Sequence, residues 1–260
     1  MQISVIGAGV MGEALIAALL KAGHSPDHIQ VIEKRAERAA ELVAKYSIKI
    51  GADLSNSDVL LLVTKPQDLD SVLTQINGQV KPGALVISFA AGKKISTIAT
   101  GLSGACPVVR VMPNTPTLVG KGAAGYSLGS GVSEHQKKFV VDFLRAAGIA
   151  VEVKEELQDA VTATSGSGPA YFFAFVEAMV KGAVELGLTE EVATELTVQT
   201  LIGAAELLAT SGKSASTLRE NVTSPNGTTF AALQSFSSSE LEQVVAKAMR
   251  AARDRSIELS

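Results

Sequence analysis

Residues 2–12 read QISVIGAGVMG, and the fold turns on how that stretch is understood. A short apolar run leads without a break into Gly7-Ala8-Gly9-Val10-Met11-Gly12, and helical spacing follows from Met11 to Ala22. The glycines permit a tight turn, close approach of the backbone to a pyrophosphate and close helix–strand contact. The N-terminus of the helix then faces the phosphates. A bare G-x-G-x-x-G is a weak signal, but one lying between strand and helix in a βαβ unit is strong. The competing reading is a tight turn that binds nothing.

The residues around it supply that βαβ context. IQVIE (29–33), DVLLLVT (58–64), ALVISF (84–89) and VVRVM (108–112) are continuous apolar runs, the pattern of strands buried on both faces. Helical segments such as 36–45 alternate with them, so a doubly wound, mostly parallel sheet is expected. AAGYSL, a helix over 134–147 and a last strand AVEVK (150–154) close this half. The expected domains are therefore 1–154, an α/β Rossmann unit, and 155–260, an all-α unit.

After Lys154 the strands stop and helical patterns run over 155–164, 169–187, 190–210, 228–236 and 239–257. In 169–187 the polar residues Glu177, Lys181 and Glu185 recur every four positions, with opposite charges set for i,i+4 pairing. Nearly all the remaining surface of that helix is apolar. Such a helix must be buried on most sides, and the other helices of this half cannot surround it alone. A second subunit is expected to supply part of the cover.

Composition narrows the function classes. The chain has 260 residues, about right for two domains at roughly 100–200 each. Apolar residues make up 47 % and charged residues 19 %, which suits packed domains rather than disorder. A net charge of −3 gives no reason to expect nucleic acid or an acidic membrane surface as partner. Cys106 is the single cysteine, so no intrachain disulfide forms, and a reducing, cytoplasmic setting is expected. The most apolar run, PAYFFAFVEAMV (169–180), carries Glu177 and is too short to span a bilayer. No HExxH, CxxC or carboxylate cluster suggests a metal.

The candidate cofactor residues begin with Ile6, Gly7, Ala8, Gly9, Val10, Met11 and Gly12. About 20 positions on, Glu33 favours an unphosphorylated ribose, whereas Lys34 and Arg35 behind it suit a 2′-phosphate. The cations tip the expectation to NADP(H), with NAD(H) also accepted. Ligands in such sheets bind beyond the carboxyl ends of strands. Val63, Thr64, Lys65 and Pro66 occupy one such end, Ala90 and Ala91 another, and Asn114 in MPNTP (112–116) a third.

The helical half holds a second candidate. Between two helical patterns, Thr223 to Thr229 reads TSPNGTT, seven small or turn-forming residues ending in two hydroxyls. Those hydroxyls would serve as a helix cap; with free backbone N–H groups the same residues make an anion site. The histidines, His24, His28 and His135, all precede this half, so the region has no obvious strong acid or base.

In order along the chain, GAGVMG, VTKP, FAAG, RVMPNTP, TSGSGPAY (164–171) and VTSPNGTT (222–229) resemble pyrroline-5-carboxylate reductase. The resemblance covers the whole chain. It implies reduction of the cyclic imine L-1-pyrroline-5-carboxylate to L-proline with NAD(P)H, the last step of proline biosynthesis. It also implies a helical dimerisation domain, a homodimer that the family sometimes builds into rings, and one subunit's helices meeting the other's nucleotide domain. Carried over by position, Thr229 points to the imine nitrogen, and Asn221, Ser224, Gly227, Thr228 and Glu155 are substrate-contacting. A family pattern of SPGGxT departs here at Asn226, a residue that tolerates the left-handed region. Hydroxyacid dehydrogenases of related architecture carry a GxxxNxxK helix, and GPAYFFAFVEAMVK (168–181) lacks Asn and Lys at that spacing. The other alternative is a non-catalytic NADP-binding regulatory protein.

Overall fold

Apolar runs that must bury two faces assemble into one eight-stranded sheet. The computed structural model describes Met1–Leu259. Its strands are β1 (Ile3–Ile6), β2 (Ile29–Ile32), β3 (Lys49–Ile50), β4 (Val59–Leu62), β5 (Leu85–Ser88), β6 (Val108–Met112), β7 (Gly122–Leu128) and β8 (Gly148–Glu152), in the order β3-β2-β1-β4-β5-β6-β7-β8. Helices α1 (Val10–Lys21), α2 (Ala36–Tyr46), α3 (Leu69–Ile76), α4 (Ile95–Gly101) and α5 (Glu134–Arg145) connect them. Every pairing is parallel except β6 with β7. That exception follows from the connection: a short loop without a crossover helix can only return antiparallel. The doubly wound, mostly parallel sheet expected from the sequence is the fold observed.

Successive side chains explain why the strands read as unbroken apolar runs. Val59 and Leu61 of β4 enter the core on one face of the sheet, while Leu60 and Leu62 enter the core on the other. Each such leucine, taken fully out of water, contributes about 1.5–3 kcal/mol. The two-residue β3 was not expected. Both of its residues are exposed, so it leaves no hydrophobic trace.

The chain forms two compact units, Met1–Pro169 with Ala251–Ser260, and Ala170–Arg250. The expected division at 154/155 thus falls earlier than the one seen. Residues Glu155–Leu157, α6 (Gln158–Val161) and the π-helical turn Thr162–Gly166 belong to the sheet unit. Hydrogen bonds hold them there. The buried Gln158 donates to Ser127 Oγ at 2.9 Å and to the Gly125 carbonyl at 3.3 Å. Ser256, near the C-terminus, donates to Asp159 at 2.7 Å and returns the end of the chain to the same unit.

The second unit carries most of α7 (Gly168–Glu185), then α8 (Glu190–Thr210), α9 (Ala215–Asn221), α10 (Thr228–Ser238) and the start of α11 (Leu241–Glu258). Only Ala193 and Thr197 are buried within it. Phe172, Phe173 and Ile202 are 59 %, 62 % and 55 % exposed. Glu177, Lys181 and Glu185 are all exposed, but no ion pair joins them, contrary to the expected i,i+4 pairing. Among the described residues α8 is long and apolar enough, by length and composition alone, to cross a membrane; the run 169–180, read as too short to do so, is not.

Candidate active site

The central strands β1 and β4 are neighbours whose onward connections diverge, and a crevice opens where they part. Gly7 N–H donates to the Ile32 carbonyl at 3.0 Å and Val63 N–H to that of Ile6 at 2.8 Å, so three strand ends meet there. A cavity of about 740 Å³ follows, lined by Ile6, Gly7, Ala8, Gly9, Glu33, Lys34, Arg35, Val63, Thr64 and Lys65 among others. Of the remaining cofactor candidates, Val10, Met11 and Gly12 form the first turn of α1. Pro66, Ala90, Ala91 and Asn114 do not line the cavity.

Each glycine has a separate physical reason. Gly7 has φ +90°, and a Cβ there would stand 2.5 Å from the Val63 carbonyl oxygen. At Gly12 a Cβ would run into the Gly7 carbonyl, which sets how closely α1 approaches β1. At Gly9 a Cβ would meet nothing within 4 Å, so the space a phosphate needs is open. Gly9 is the N-cap of α1 and offers no side chain. The first intrahelical bond runs from Glu13 N–H to the Gly9 carbonyl at 3.0 Å, leaving the N–H groups of Val10, Met11 and Gly12 open. Thr64 Oγ1 is buried without a partner. Open amides, open space and an unpaired hydroxyl suit a dinucleotide.

Side chains not expected from the sequence brace this loop. Ala8 is gripped at both ends of its peptide: its N–H donates to Glu33 Oε2 at 3.0 Å and its carbonyl accepts from Arg38 Nε at 3.0 Å. Arg38 also pairs with Glu13, which accepts from Lys45 at 2.8 Å and Tyr46 at 3.0 Å. Bonds from Lys45 and Arg38, against the opposing effect of burial, bring the Glu13 carboxyl down to about 2. Burial pushes Glu33 up, but bonds from Arg35 and from the Arg35 and Ala8 amides prevail and hold it below the usual range. Arg38 sits in the first turn of α2, where a charge reads in sequence as a solvated face.

Asn114 and Glu155 are committed inside the sheet unit. Asn114 accepts from Ala123 N–H at 2.8 Å and donates to the Ser165 carbonyl at 3.1 Å, so it braces the MPNTP loop against the π-helical turn. Glu155 accepts from Ile95 N–H at 2.6 Å, capping α4, and pairs with Arg110 at 3.6 Å. Arg110 is buried and meets Asp159 at 3.4 Å as well. A cation inside an apolar strand must be paired, and the Arg in VVRVM was the signal for this network.

In the helical unit, Asn221 ends α9 and is exposed, and Gly227 is the N-cap of α10. Ser224 accepts from Gly227 N–H at 3.0 Å, closing a turn with Pro225 second and Asn226 third. Asn226 has φ +61°, the left-handed conformation that such a turn requires at its third position. Asn226 thus meets the backbone conformation that this turn needs. A Cβ on Gly227 would press on Ser224 Oγ. Capping is not what the threonines do: α10 has no side-chain cap, and Thr228 and Thr229 stand inside its first turn. The first helical bond is Ala231 N–H to the Gly227 carbonyl at 3.1 Å, so the amides of Thr228, Thr229 and Phe230 are open. Open amides at a positive helix end, beside two hydroxyls, can hold a carboxylate. No histidine lines the cavity at the glycine loop or this turn.

Comparison with known proteins agrees with both halves. A family model described as pyrroline-5-carboxylate reductase dimerisation matches residues 155–259, and one described as NADP oxidoreductase, coenzyme F420-dependent, matches 2–92. Pyrroline-5-carboxylate reductase of Pseudomonas aeruginosa is 40 % identical, covering 100 % of this chain and 97 % of the relative. That of Corynebacterium melassecola is 41 % identical over 99 % of this chain and 98 % of its own. The solved Coxiella burnetii reductase superposes with a TM-score of 0.93 at 35 % identity, covering 100 % of this chain and 98 % of that one. The Plasmodium falciparum enzyme, solved with NADP bound, gives 0.87 at 28 % identity with the same coverage. With full-length relatives at this identity and a matching fold in both units, the chain belongs to the pyrroline-5-carboxylate reductase family.

Proposed function

We propose that this chain is a cytoplasmic enzyme that reduces L-1-pyrroline-5-carboxylate to L-proline, using NADPH in preference to NADH. The observation that carries the reading is the α10 N-terminus, whose amides and threonine hydroxyls are left open by a glycine N-cap. The bound cofactor would supply the hydride. Gly7–Gly12 and the open amides of α1 would hold its pyrophosphate, and Lys34 and Arg35 would hold a 2′-phosphate. Thr64, with its unpaired hydroxyl, would bond the cofactor at the end of β4.

Thr228, Thr229 and Phe230 N–H groups would fix the substrate carboxylate, with Asn221, Ser224 and Gly227 shaping the loop around it. The Thr229 hydroxyl would accept from the imine N–H and set the angle of the ring. A cyclic imine nitrogen is far more basic than a carbonyl oxygen, so it is protonated before reduction. A strong acid on the protein is unnecessary, which suits a loop without histidine. Orientation then supplies several kcal/mol of the rate enhancement. Asn114 and Glu155, both engaged internally, serve this reading as braces.

The apolar faces of the helical unit, α8 included, would pack on a second copy to form a homodimer, the unit from which larger rings are built. Purified protein should oxidise NADPH only when pyrroline-5-carboxylate is added, with one proline formed per cofactor consumed. Turnover of a 2-keto acid instead would favour a hydroxyacid dehydrogenase, and cofactor binding without any turnover would favour a regulatory protein.

A further inference from the structure

We propose that Glu33 and Arg35 form an exchangeable latch over the adenosine ribose, in which Arg35 selects the cofactor by occupying or releasing the Glu33 carboxylate. This rests on reading the cavity at the glycine loop as the cofactor site.

Both oxygens of Glu33 are already in use. Oε1 accepts from Arg35 N–H and Arg35 Nε, each at 3.1 Å, and Oε2 accepts from Ala8 N–H at 3.0 Å. The two partners differ in freedom. The bond to Ala8 ties the Glu33 carboxylate, 9 % exposed, to the glycine loop, whereas the Arg35 side chain is 64 % exposed and free to swing. A free ribose 2′-hydroxyl seeks a carboxylate oxygen and would have to displace Arg35 to get one. A 2′-phosphate draws the guanidinium to itself and leaves Glu33 on Ala8. Arg35 therefore works against NADH and for NADPH through one contact. Lys34 lines the same cavity and has no ion pair among the described residues, so it attracts a phosphate but blocks nothing.

The latch makes the two ligands respond with opposite signs, which a merely stiffening role for Arg35 would not do. Calorimetric titration of the intact protein with adenosine 2′,5′-bisphosphate and with ADP reads this without turnover. Arg35→Ala should weaken the bisphosphate about tenfold and tighten ADP about two- to fivefold, the worth of an exposed ion pair that no longer has to be broken. Glu33→Gln should do the reverse, tightening the bisphosphate and weakening ADP. Lys34→Ala should weaken the bisphosphate alone. If Arg35→Ala moves both ligands in one direction, or leaves ADP unchanged, the latch is wrong. Opposite shifts in an enzyme whose kcat/KM is higher with NADH than with NADPH would keep the latch and refute the NADPH preference. A wild type that binds neither ligand would refute both.

Discussion

The N-termini of α1 and α10, one in each unit, are built alike. Each has a glycine N-cap without a side-chain bond, whereas α5, α8 and α9 are capped by Ser133, Thr189 and Ser214. What lies behind them differs. The α1 terminus rests on a sheet with a core on each face, and the α10 terminus rests on helices whose apolar side chains are exposed. Similar anion-facing ends thus stand on one support that is complete in a single chain and one that is not. On the proposed reading, the second is completed by another copy, which covers those exposed side chains.

The largest expected effect comes from attacking that incomplete support. Phe173→Glu together with Ile202→Glu places charges on exposed apolar side chains, each of which would otherwise contribute about 1.5–3 kcal/mol when covered. Sedimentation should show monomers, circular dichroism a loss of helix, and activity should vanish, while Phe139 and Phe143, stacked with ring centroids 6.1 Å apart in the core of the sheet unit, keep their packing. A stable, helical dimer would show that this face is not the interface.

A smaller but still large effect is expected at Thr229. Thr229→Val preserves shape and removes the hydroxyl, leaving the ring N–H without its acceptor at a cost of about 1–3 kcal/mol. Turnover should fall about tenfold or more while NADPH affinity stays unchanged, and Thr229→Ser should recover part of the rate. Unaltered turnover in the valine variant would reduce the α10 terminus to a carboxylate site alone.

The smallest effect is expected at Asn226, where φ is +61°. Asn226→Gly should leave thermal stability within about 1 kcal/mol, because both residues reach the left-handed region. Asn226→Val should cost more and raise the KM for pyrroline-5-carboxylate. Equal behaviour of the two variants would mean that the turn geometry is immaterial to the carboxylate site.

The sheet was legible because its strands are buried on both faces, and each leaves a continuous apolar run. The glycine loop was legible because Gly7 and Gly12 have backbone reasons that no other residue meets. The division into compact units after Pro169 was not, although the dimerisation family model begins at 155, where the strands stop. Change of secondary structure marks Lys154, but the tie is made by side chains such as Gln158 and Ser256, whose partners are far away in sequence. Asn114 and Glu155 illustrate the same gap. A polar residue at a strand end or after a strand looks open in sequence, and only the fold reveals that Ala123, Ser165 and Ile95 have already claimed it. Arg38 was invisible for the opposite reason, since a helix charge needs no partner until a carbonyl such as that of Ala8 is brought to it.

The proposed division of labour between the two helix ends, with a second copy completing each site, has one direct test. Gly9→Asp places a carboxylate where the structure leaves open space, so it should block the cofactor without disturbing the fold. Thr228→Asp with Thr229→Val places a carboxylate at an exposed helix end that favours one, and should block the substrate in the same way. Each variant chain alone should be inactive. Refolded together in equal amounts, they should regain about a quarter of wild-type activity, because random pairing makes half the dimers mixed and each mixed dimer has one undamaged site. A mixture that stays inactive although mixed dimers form would contradict the account and place both helix ends of each site in the same chain.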